Sequence, residues 1–338
     1  MTPSYDLDVV VTRGDAAESV HRVAAAVVQD DRLVGAARDV ALEAYWRSCA
    51  KPFQIMPFLE SGDFDALEWG VDQLALSCAS HGGEPEHVAL AERMLYDLGL
   101  EEGDLACGVT DPLAPRGVRI LRECGSRPTR LHNNCSGKHA AMLGRAHAAG
   151  WPTAGYQRLT HPVQRSIVET MEKWTGAPAE SFLIAIDGCG VPVFGTSLET
   201  MARAFSRLAA ATQRGDEIPH RIVEAMQSNP FLVGGTDRFD TILMEEAPHI
   251  LCKIGAEGVH AVAVPEQGLG IALKVEDGAA RAQYPALLAL LQQVGALPET
   301  LPPRLAELAQ RPVRDSRHEV VGTVAVRSAL RAQGVAAI

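Results

Sequence analysis

The sequence predicts a mixed α/β (α+β) protein, with a single sheet formed from both chain ends and a mostly helical middle. Runs rich in β-branched residues cluster near both ends, whereas helix-forming stretches fill the centre. Of the 338 residues, 47% are hydrophobic and 22% are charged, an ordinary globular composition with enough apolar surface for a sizeable core. Because neither a repeat nor a linker divides the chain, we expect a single domain over residues 1–338.

The predicted strands lie mainly at the two ends of the chain. Near the start, residues 7–11 form a β-type run, and 20–28 and 33–36 flank the turn Gln29-Asp30-Asp31, as in a β-hairpin. A short apolar strand at 182–186 runs into a tight turn that begins at Asp187. The predicted strands near the end of the chain are 250–254, 259–264, 268–274 and 320–326.

The predicted helices occupy most of the remaining chain. Pro85 and Gly99 mark the start and the end of one helix, because proline favours the first helical turn and glycine the position after the last. The other predicted helices cover 53–59, 64–77, 162–174, 198–211, 220–229, 285–294 and 305–310, and one more follows the motif described next.

Residues 131–143, LHNNCSGKHAAML, concentrate reactive side chains just before a helix. The positive end of the helix dipole favours a thiolate at Cys135. Cys135 stands three residues before Lys138 and four before His139, so either pair can share one helix face. We interpret this stretch as part of a functional site. An ordinary capped helix with a half-buried cysteine is the alternative.

A serine and a lysine one helical turn apart, Ser48 and Lys51, are candidates for nucleophilic catalysis. A nucleophilic serine needs a base, and lysine can serve where burial or a neighbouring cation lowers its pKa. The apolar flanks, Trp46 and Pro52-Phe53, favour burial, although such a pair also occurs often by chance on a solvated surface.

Three further segments carry candidate chemistry. Ser80-His81-Gly82-Gly83 is a glycine-bearing turn that can bring backbone N–H groups close to a ligand, or simply connect two helices. Lys253-Ile254-Gly255 follows an apolar strand, as the Lys-Thr-Gly element of serine β-lactamases does. Asp187-Gly188-Cys189-Gly190 places a carboxylate and a thiol at a strand end, where ligand-binding loops often lie.

A metal site can be assembled from Cys135, Cys189 and either Lys138 or His139, with a fourth position left for water or substrate. His139 is the conventional ligand, since a lysine coordinates only if the metal displaces its proton. The sequence contains no Cys-x-x-Cys pair, which excludes a structural zinc ribbon.

Charge and hydropathy exclude several classes of partner. The formal net charge of −11 repels nucleic acid and acidic membranes. No apolar run approaches the roughly 18 residues that span a bilayer. The first residues, MTPSYDLDVVVTRG, lack the pattern of a secretory signal, and seven cysteines without a disulfide spacing indicate reduced thiols. We expect a cytoplasmic protein with a small-molecule substrate and with neither a nucleic-acid nor a membrane partner.

Taken together, these residues resemble the rhizobial-type L-asparaginase II family, which is related to the serine β-lactamase and glutaminase fold. The most specific match is Asn133-Asn134-Cys135-Ser136-Gly137-Lys138-His139. The resemblance runs over nearly the whole chain, with other matches at 12–14, 18–22, 47–54, 79–87, 161–164, 187–192 and 253–258.

The resemblance implies two Ser–Lys tandems, Ser48 with Lys51 and Ser80 with Lys253. It also implies a homodimer and a zinc ion that assists substrate binding, held by Cys135, Lys138 and Cys189 with His139 nearby. The residues expected to bind the substrate are Arg47, His81, Asn133 and Asp187.

Two positions depart from the pattern of the family. The family is expected to have the sequence Arg-Ser-Ala-Ala-Lys at residues 47–51. Here Cys49 replaces the first of the two alanines, which changes the packing behind Ser48. Ile254 replaces the threonine of the Lys-Thr-Gly form and removes one hydroxyl near the second tandem. Neither change removes a catalytic group, so we expect an effect on substrate affinity and not on activity itself.

The resulting hypothesis is an L-asparaginase, an amidohydrolase that acts on L-asparagine through an acyl-enzyme. Ser48 is the expected nucleophile and Lys51 its base, with Ser80 and Lys253 relaying protons, although either serine can be the acylated one. Backbone N–H groups at Ser48 or at residues 80–83 can stabilise the oxyanion. The alternatives are attack by zinc-bound water, a glutaminase or β-lactam hydrolase, and a non-enzymatic zinc or thiol sensor.

Overall fold

Both ends of the chain build the first of two units in the computed structural model, which describes residues 2–332. This first unit consists of residues 2–44, 196–210 and 252–332, and the second of 45–195 and 211–251. The prediction of one domain over the whole chain stays a prediction. No helix among residues 2–332 is both long and apolar enough to cross a bilayer.

The strands are β1 (Val9–Arg13), β2 (Ala16–His21), β3 (Val23–Gln29), β4 (Arg32–Ala37), β5 (Glu43–Tyr45), β6 (Leu183–Ile186), β7 (Pro192–Ser197), β8 (Leu251–Ile254), β9 (Val259–Val264), β10 (Leu269–Val275), β11 (Arg311–Arg314) and β12 (Val320–Val326). The sheets have the orders β11-β12-β1-β2, β4-β3-β10-β9-β8 and β5-β7-β6. All the pairs whose register is resolved are antiparallel.

The helices are α1 (Lys51–Gln54), α2 (Met56–Glu60), α3 (Asp63–Ala66), α4 (Val71–Ser77), α5 (Pro85–Asp97), α6 (Pro115–Glu123), α7 (Ser136–Ala148), α8 (Pro162–Thr175), α9 (Leu198–Arg214), α10 (Glu217–Ser228), α11 (Pro230–Val233), α12 (Phe239–Glu246), α13 (Ala280–Gln293), α14 (Pro303–Ala309) and α15 (Arg327–Ala332). The α/β class with a mostly helical middle is therefore confirmed.

The terminal strands form two sheets in the first unit, not the single sheet that the sequence predicts. β1 pairs with β12 on one side and with β2 on the other, whereas β3 pairs with β4 and β10. Because both edges of β3 are occupied, β2 cannot pair with it, although only Arg22 separates the two strands. The chain therefore passes from one sheet to the other at Arg22.

The hairpin predicted around Asp30 and Asp31 joins β3 to β4. Both aspartates have positive φ, 48° and 66°, as the two central residues of a type I′ turn require. β3 and β9 are buried along almost their whole length, which explains why their sequences read as continuous apolar runs.

Three aromatic side chains pack together in the second unit. The rings of Phe58, Phe64 and Trp69 form a cluster of edge-to-face contacts with centroids 5.4–5.9 Å apart. The helix predicted over 64–77 is interrupted there and gives α3 and α4. Glu68 has a φ of 57°, which a right-handed helix cannot contain.

Candidate active site

Ser48 lies half-buried in a short 3-10 helix, Arg47–Ala50, that precedes α1. The fully buried Trp46 anchors this helix, because its N–H donates to the carbonyl oxygen of Phe194 over 2.8 Å. Arg47 has a φ of 50°, a conformation that residues other than glycine rarely adopt. Ser48 therefore stands on a fixed turn whose backbone stores some strain.

Lys51 begins α1 and is almost completely buried, with 1% of its surface exposed. Its Nζ atom lies 3.3 Å from the Oγ atom of Ser80, and it donates to the carbonyl oxygens of Ala79 and Asn134. The structure thus places the lysine that the resemblance pairs with Ser48 in contact with the serine of the other predicted tandem.

The Ser80 turn depends on two glycines and on bonds to neighbouring segments. The N–H of Ser80 donates to the carbonyl oxygen of Val233 over 3.0 Å. A Cβ atom on Gly82 would lie 2.6 Å from the Cβ atom of Ala114, and Gly83 has a φ of 69°. Side chains are therefore excluded at both glycines, so the turn can pack closely against its surroundings.

His81 is fully buried, and both of its ring nitrogens already have partners. Its Nδ1 atom accepts from the N–H of Gly83, and its Nε2 atom lies 2.9 Å from the Oγ atom of Ser136. Burial, together with the nearby charges of His87 and Lys51, holds the pKa of His81 well below its ordinary value, so the ring is neutral. Its role in substrate binding stays a prediction.

Lys253 lies on β8 in the first unit, where it is fully buried and donates to the carbonyl oxygen of Ile254 over 3.0 Å. Its pairing with Ser80 stays a prediction.

Asn133 is also buried, in the second unit. Its amide donates to the carbonyl oxygen of Gly108 and accepts from the N–H of Cys135, so it fixes the start of α7.

Cys135, Lys138 and Cys189 form a buried group that we call the thiol cluster. Cys135 precedes the first residue of α7, Lys138 lies in the first turn of α7, and Cys189 lies in the turn between β6 and β7. The Nζ atom of Lys138 is 3.0 Å from the Sγ atom of Cys189, and the thiol of Cys135 donates to the same sulfur.

The thiol cluster separates the pKa values of its two cysteines. The hydrogen bond from Cys135 and the charge of Lys138 lower the pKa of Cys189 to about 5, although burial acts in the opposite direction. The hydrogen bond to Cys189, together with burial, raises the pKa of Cys135 to about 12. Cys189 is therefore the thiolate and Cys135 the thiol near neutral pH.

Asp187 joins the turn of Cys189 to the segment of Ser48. The Nε atom of Arg47 donates to an oxygen of Asp187 over 2.8 Å, and both side chains are largely buried. Burial acts to raise the pKa of Asp187, but the charges of Lys138 and Arg47 outweigh it and hold this pKa below its ordinary value. These two predicted substrate-binding residues are thus charged and contact each other.

His139 is fully buried beside Tyr156, whose hydroxyl lies 2.6 Å from its Nδ1 atom. The Nε2 atom of His139 forms no hydrogen bond within residues 2–332. Burial and the charge of Lys138 lower the pKa of His139 to about 3, so the ring is neutral. Its second nitrogen is consequently an unsatisfied polar group.

The donor set of the thiol cluster fits a zinc ion, which prefers sulfur and nitrogen ligands. Across the described part of the chain, no three His, Cys, Asp or Glu side chains at this cluster bring their ligand atoms within 4.8 Å of one another. A third protein ligand therefore requires Lys138, as the resemblance implies. The charges of Cys189, Cys135 and Asp187 raise the pKa of Lys138 despite its burial, so coordination must displace a firmly held proton.

Cys107 is a neighbour of the thiol cluster that the sequence did not indicate. It is buried, its thiol lies 3.8 Å from the carbonyl oxygen of Arg130, and the charges of Cys135 and Cys189 act on it. Burial is the main cause that raises its pKa to about 12. Its position in a proline-rich loop gave no periodic signal that would link it to α7.

A model of the L-asparaginase II family matches residues 9–326, which is most of the chain. The chain belongs to the L-asparaginase II family. The predicted resemblance is thereby confirmed, and the family is one of amidohydrolases. No protein of curated function matches the sequence significantly.

Several solved structures are similar to this L-asparaginase II chain. Mglu in its native form has a TM-score of 0.46 and 15% identity, over 82% of this chain and 65% of Mglu, so this chain spans about two thirds of the length of Mglu. A putative beta-lactamase from Bacteroides dorei has a TM-score of 0.41 and 14% identity, over 81% of this chain and 94% of that one.

In this L-asparaginase II chain, the second unit brings most of the predicted site residues into two groups. Lys51 and Ser80 contact each other, with Ser48 one turn before Lys51. The other group is the thiol cluster with the Arg47–Asp187 pair beside it. His81 and Asn133 contact backbone groups of the same segments instead of facing open space.

Proposed function

We propose that this protein is an L-asparaginase, which hydrolyses the side-chain amide of L-asparagine to L-aspartate and ammonia. Membership of the L-asparaginase II family over residues 9–326 is the observation that carries this proposal. The contact between the buried Lys51 and Ser80 supports a serine-dependent mechanism, because a lysine can serve as the base for a nucleophilic hydroxyl.

Oxygen atoms surround the Nζ atom of Lys51. It donates to the carbonyl oxygens of Ala79 and Asn134 and to the hydroxyl oxygen of Ser80, 3.3 Å away. To act as a base, Lys51 would first give up one of these protons and then accept the proton of a serine hydroxyl. Protonation of Lys51 during the reaction would be stabilised by the same two carbonyls.

In the proposed reaction, Ser48 attacks the amide carbon while Lys51 takes its proton. The tetrahedral intermediate breaks its C–N bond, and the leaving nitrogen receives a proton and departs as ammonia. Water then attacks the ester and releases L-aspartate. Ser80, in contact with Lys51, and Lys253 would relay the protons in both steps, and an ester on Ser80 instead of Ser48 remains the alternative.

The oxyanion that develops in this reaction needs backbone N–H donors. The N–H of Ser80 donates to Val233 and that of Gly83 donates to His81, so these two groups are engaged. The N–H groups of Ser80 and Gly83, at the two ends of the expected oxyanion site, therefore already have acceptors within the protein. In the turn of Ser48, the N–H of Cys49 is engaged as well, because it donates to the carbonyl oxygen of Trp46 over 3.0 Å. We therefore propose the N–H of Ser48 itself as an oxyanion donor.

We further propose that Cys135, Lys138 and Cys189 hold a zinc ion. When bound, zinc would supply a positive charge next to Asp187 and attract a carboxylate of the substrate. Arg47 would orient the substrate through its guanidinium, and its bond to Asp187 keeps it in place.

Ammonia release from L-asparagine and from L-glutamine tests the proposal, with zinc content measured in the same samples. We expect the wild type to hydrolyse L-asparagine, and Ser48→Ala to lose turnover while it keeps its zinc. A folded wild type that hydrolyses neither amide contradicts the proposal. Turnover that survives in Ser48→Ala but disappears on removal of zinc favours attack by metal-bound water.

The variants Cys135→Ser, Lys138→Met and Cys189→Ser test the zinc site itself. We expect each to lower the zinc content strongly, whereas Cys107→Ser retains it. The implied homodimer is tested by light scattering, which should give a mass of twice the 36.1 kDa of one chain. A monomeric mass at working concentration would contradict it.

A further inference from the structure

An unsatisfied nitrogen lies in the second unit beside the thiol cluster. The ring of His139 has no exposed surface, and its Nε2 atom has no hydrogen-bond partner within the described chain. Folded proteins rarely bury a polar atom without a partner, so such an atom calls for an explanation. A bound ligand that supplies the missing partner is one explanation.

The hydrogen bonds of Tyr156 decide which ring nitrogen of His139 carries the proton. The Tyr156 oxygen accepts from the N–H of Ala106 over 2.8 Å. Its own proton needs an acceptor, and the Nδ1 atom of His139, 2.6 Å away, is the acceptor that its contacts provide. Nδ1 therefore accepts, and the ring proton is on Nε2. The unsatisfied atom is a donor.

The position of His139 indicates what this donor meets. His139 follows Lys138 on α7, and its N–H donates to the carbonyl oxygen of Cys135 over 3.0 Å, so it stands directly beside two residues of the thiol cluster. A protonated Nε2 has no lone pair for a metal, which agrees with Lys138 and not His139 as the nitrogen ligand. What Nε2 can bind is an acceptor atom of a ligand in this site.

We propose that His139 binds the substrate, its Nε2–H donating a hydrogen bond to an oxygen of the bound amino acid, and that Tyr156 is the positioning residue that fixes this tautomer. The inference rests on the proposed function, because the ligand is the asparagine or aspartate of that reaction. A donor without acceptor capacity selects oxygen over the amide NH₂ group, so it helps to orient the side chain.

Nitrogen NMR of protein labelled with ¹⁵N-histidine tests the tautomer directly. The signal of His139 is assigned by its loss in His139→Gln. We expect the wild type to carry the proton on Nε2, and L-aspartate, which cannot be hydrolysed further, to shift that signal on titration. A proton on Nδ1, or an Nε2 signal that L-aspartate leaves unchanged, overturns the inference. An Nε2 signal that L-aspartate leaves unchanged would mean that the Nε2–H group binds a buried water and not the substrate.

Variants separate hydrogen bonding from packing. His139→Leu should weaken the binding of L-aspartate and raise KM for L-asparagine by about tenfold, the effect of losing one good hydrogen bond. His139→Gln keeps an N–H donor and should stay within about threefold of the wild type. Tyr156→Phe should convert the single Nε2–H signal into a mixture of both tautomers. Tyr96→Phe, at a tyrosine that is 75% exposed, is the control and should change nothing.

The two proposals fail in different ways. If the wild type hydrolyses L-asparagine but the tautomer or the L-aspartate shift is wrong, the inference about His139 falls and the proposed function stands. If no amide is hydrolysed, the proposed function falls and takes the identity of the ligand with it. Equal loss of binding in His139→Gln and His139→Leu, with both variants folded, would also overturn the inference.

Discussion

The Nζ atom of Lys51 lies 3.3 Å from the Oγ atom of Ser80, 29 positions further along the chain. The α1 helix and the turn after α4 are brought together by this contact. Lys51 thus follows Ser48 by one helical turn in the chain, and its amine contacts Ser80. Loss of Lys51 should therefore impair the proposed mechanism whichever serine is the nucleophile.

Replacement of Lys51 by methionine should reduce ammonia release from L-asparagine by about 10³-fold, because the base is lost while the length of the side chain is kept. Thermal unfolding should show that the variant is folded. Lys173→Met is the matched control, since this lysine is 65% exposed and pairs with Glu60 at the surface. Activity of folded Lys51→Met within about tenfold of the wild type would contradict the assignment of the base.

In the metal-free protein, the ultraviolet absorbance of thiolate should rise in a step with a midpoint near pH 5, the pKa of Cys189. Above this pH the thiolate is stabilised by the hydrogen bond from Cys135 and the charge of Lys138. Cys189→Ser should abolish the step. Cys107→Ser should leave it in place, because the pKa of Cys107 is about 12. A step that persists in Cys189→Ser would mean that another thiol is the acidic one.

Replacement of Asp187 by asparagine should destabilise the protein by about 2 kcal/mol near neutral pH, because Arg47 loses a charged partner in a largely buried place. The pKa of Asp187 is lower in the folded state, so its contribution is present above the ordinary value of 3.8 and is lost as the pH falls through the folded pKa. Urea unfolding should therefore show a difference between variant and wild type that shrinks below about pH 4.

The control for this experiment is Asp216→Asn, which breaks an exposed pair with Arg214. It should change stability by less than about 0.5 kcal/mol. A difference between Asp187→Asn and the wild type that stays constant from neutral to acidic pH would show that the lost charge is not the cause.

Replacement of Gly137 by alanine should destabilise the protein by about 1–3 kcal/mol and lower its zinc content, since overpacking moves α7. The new Cβ atom would lie 2.5 Å from both the Cγ atom and the carbonyl oxygen of Leu76 on α4. Gly108→Ala is the control, because a methyl group added to this exposed glycine would meet no atom within 4 Å. Equal stability of the two variants would show that α4 and α7 can separate at little cost.

The elements that could be predicted from sequence are those with strong local signals. Helix α5 runs from Pro85 to Asp97, as the proline and the following Gly99 indicate, and α7 follows the reactive motif as expected. In contrast, β11 has no apolar alternation and carries Pro312. It forms because it pairs with β12, where Arg311 faces Val324, and no local pattern indicates this tertiary contact.

Local sequence patterns identify the candidate residues of the site, but they do not indicate most of the contacts between them. The spacing of Cys135 and Lys138 on α7 is a local property, so their proximity follows from helix geometry. The contact of Lys51 with Ser80, the entry of Cys107 beside the thiol cluster and the bond of His139 to Tyr156 depend on tertiary packing. No periodicity in the sequence encodes them.

The pairing of β1 with β12, in which Val9 faces Val326, has a consequence for biosynthesis. While the chain is being made, β1 leaves the ribosome long before its partner exists, and β3 likewise waits for β10. One edge of each strand is exposed during that time and can bind strands of other nascent chains. The helices α1 to α8 and α10 to α12 are all made before β8 to β12, including α10 and α11, which pack against α4. We therefore expect the helical unit to fold during translation and the sheets of the first unit to close only when synthesis is nearly complete, which makes chaperone demand highest for the terminal strands.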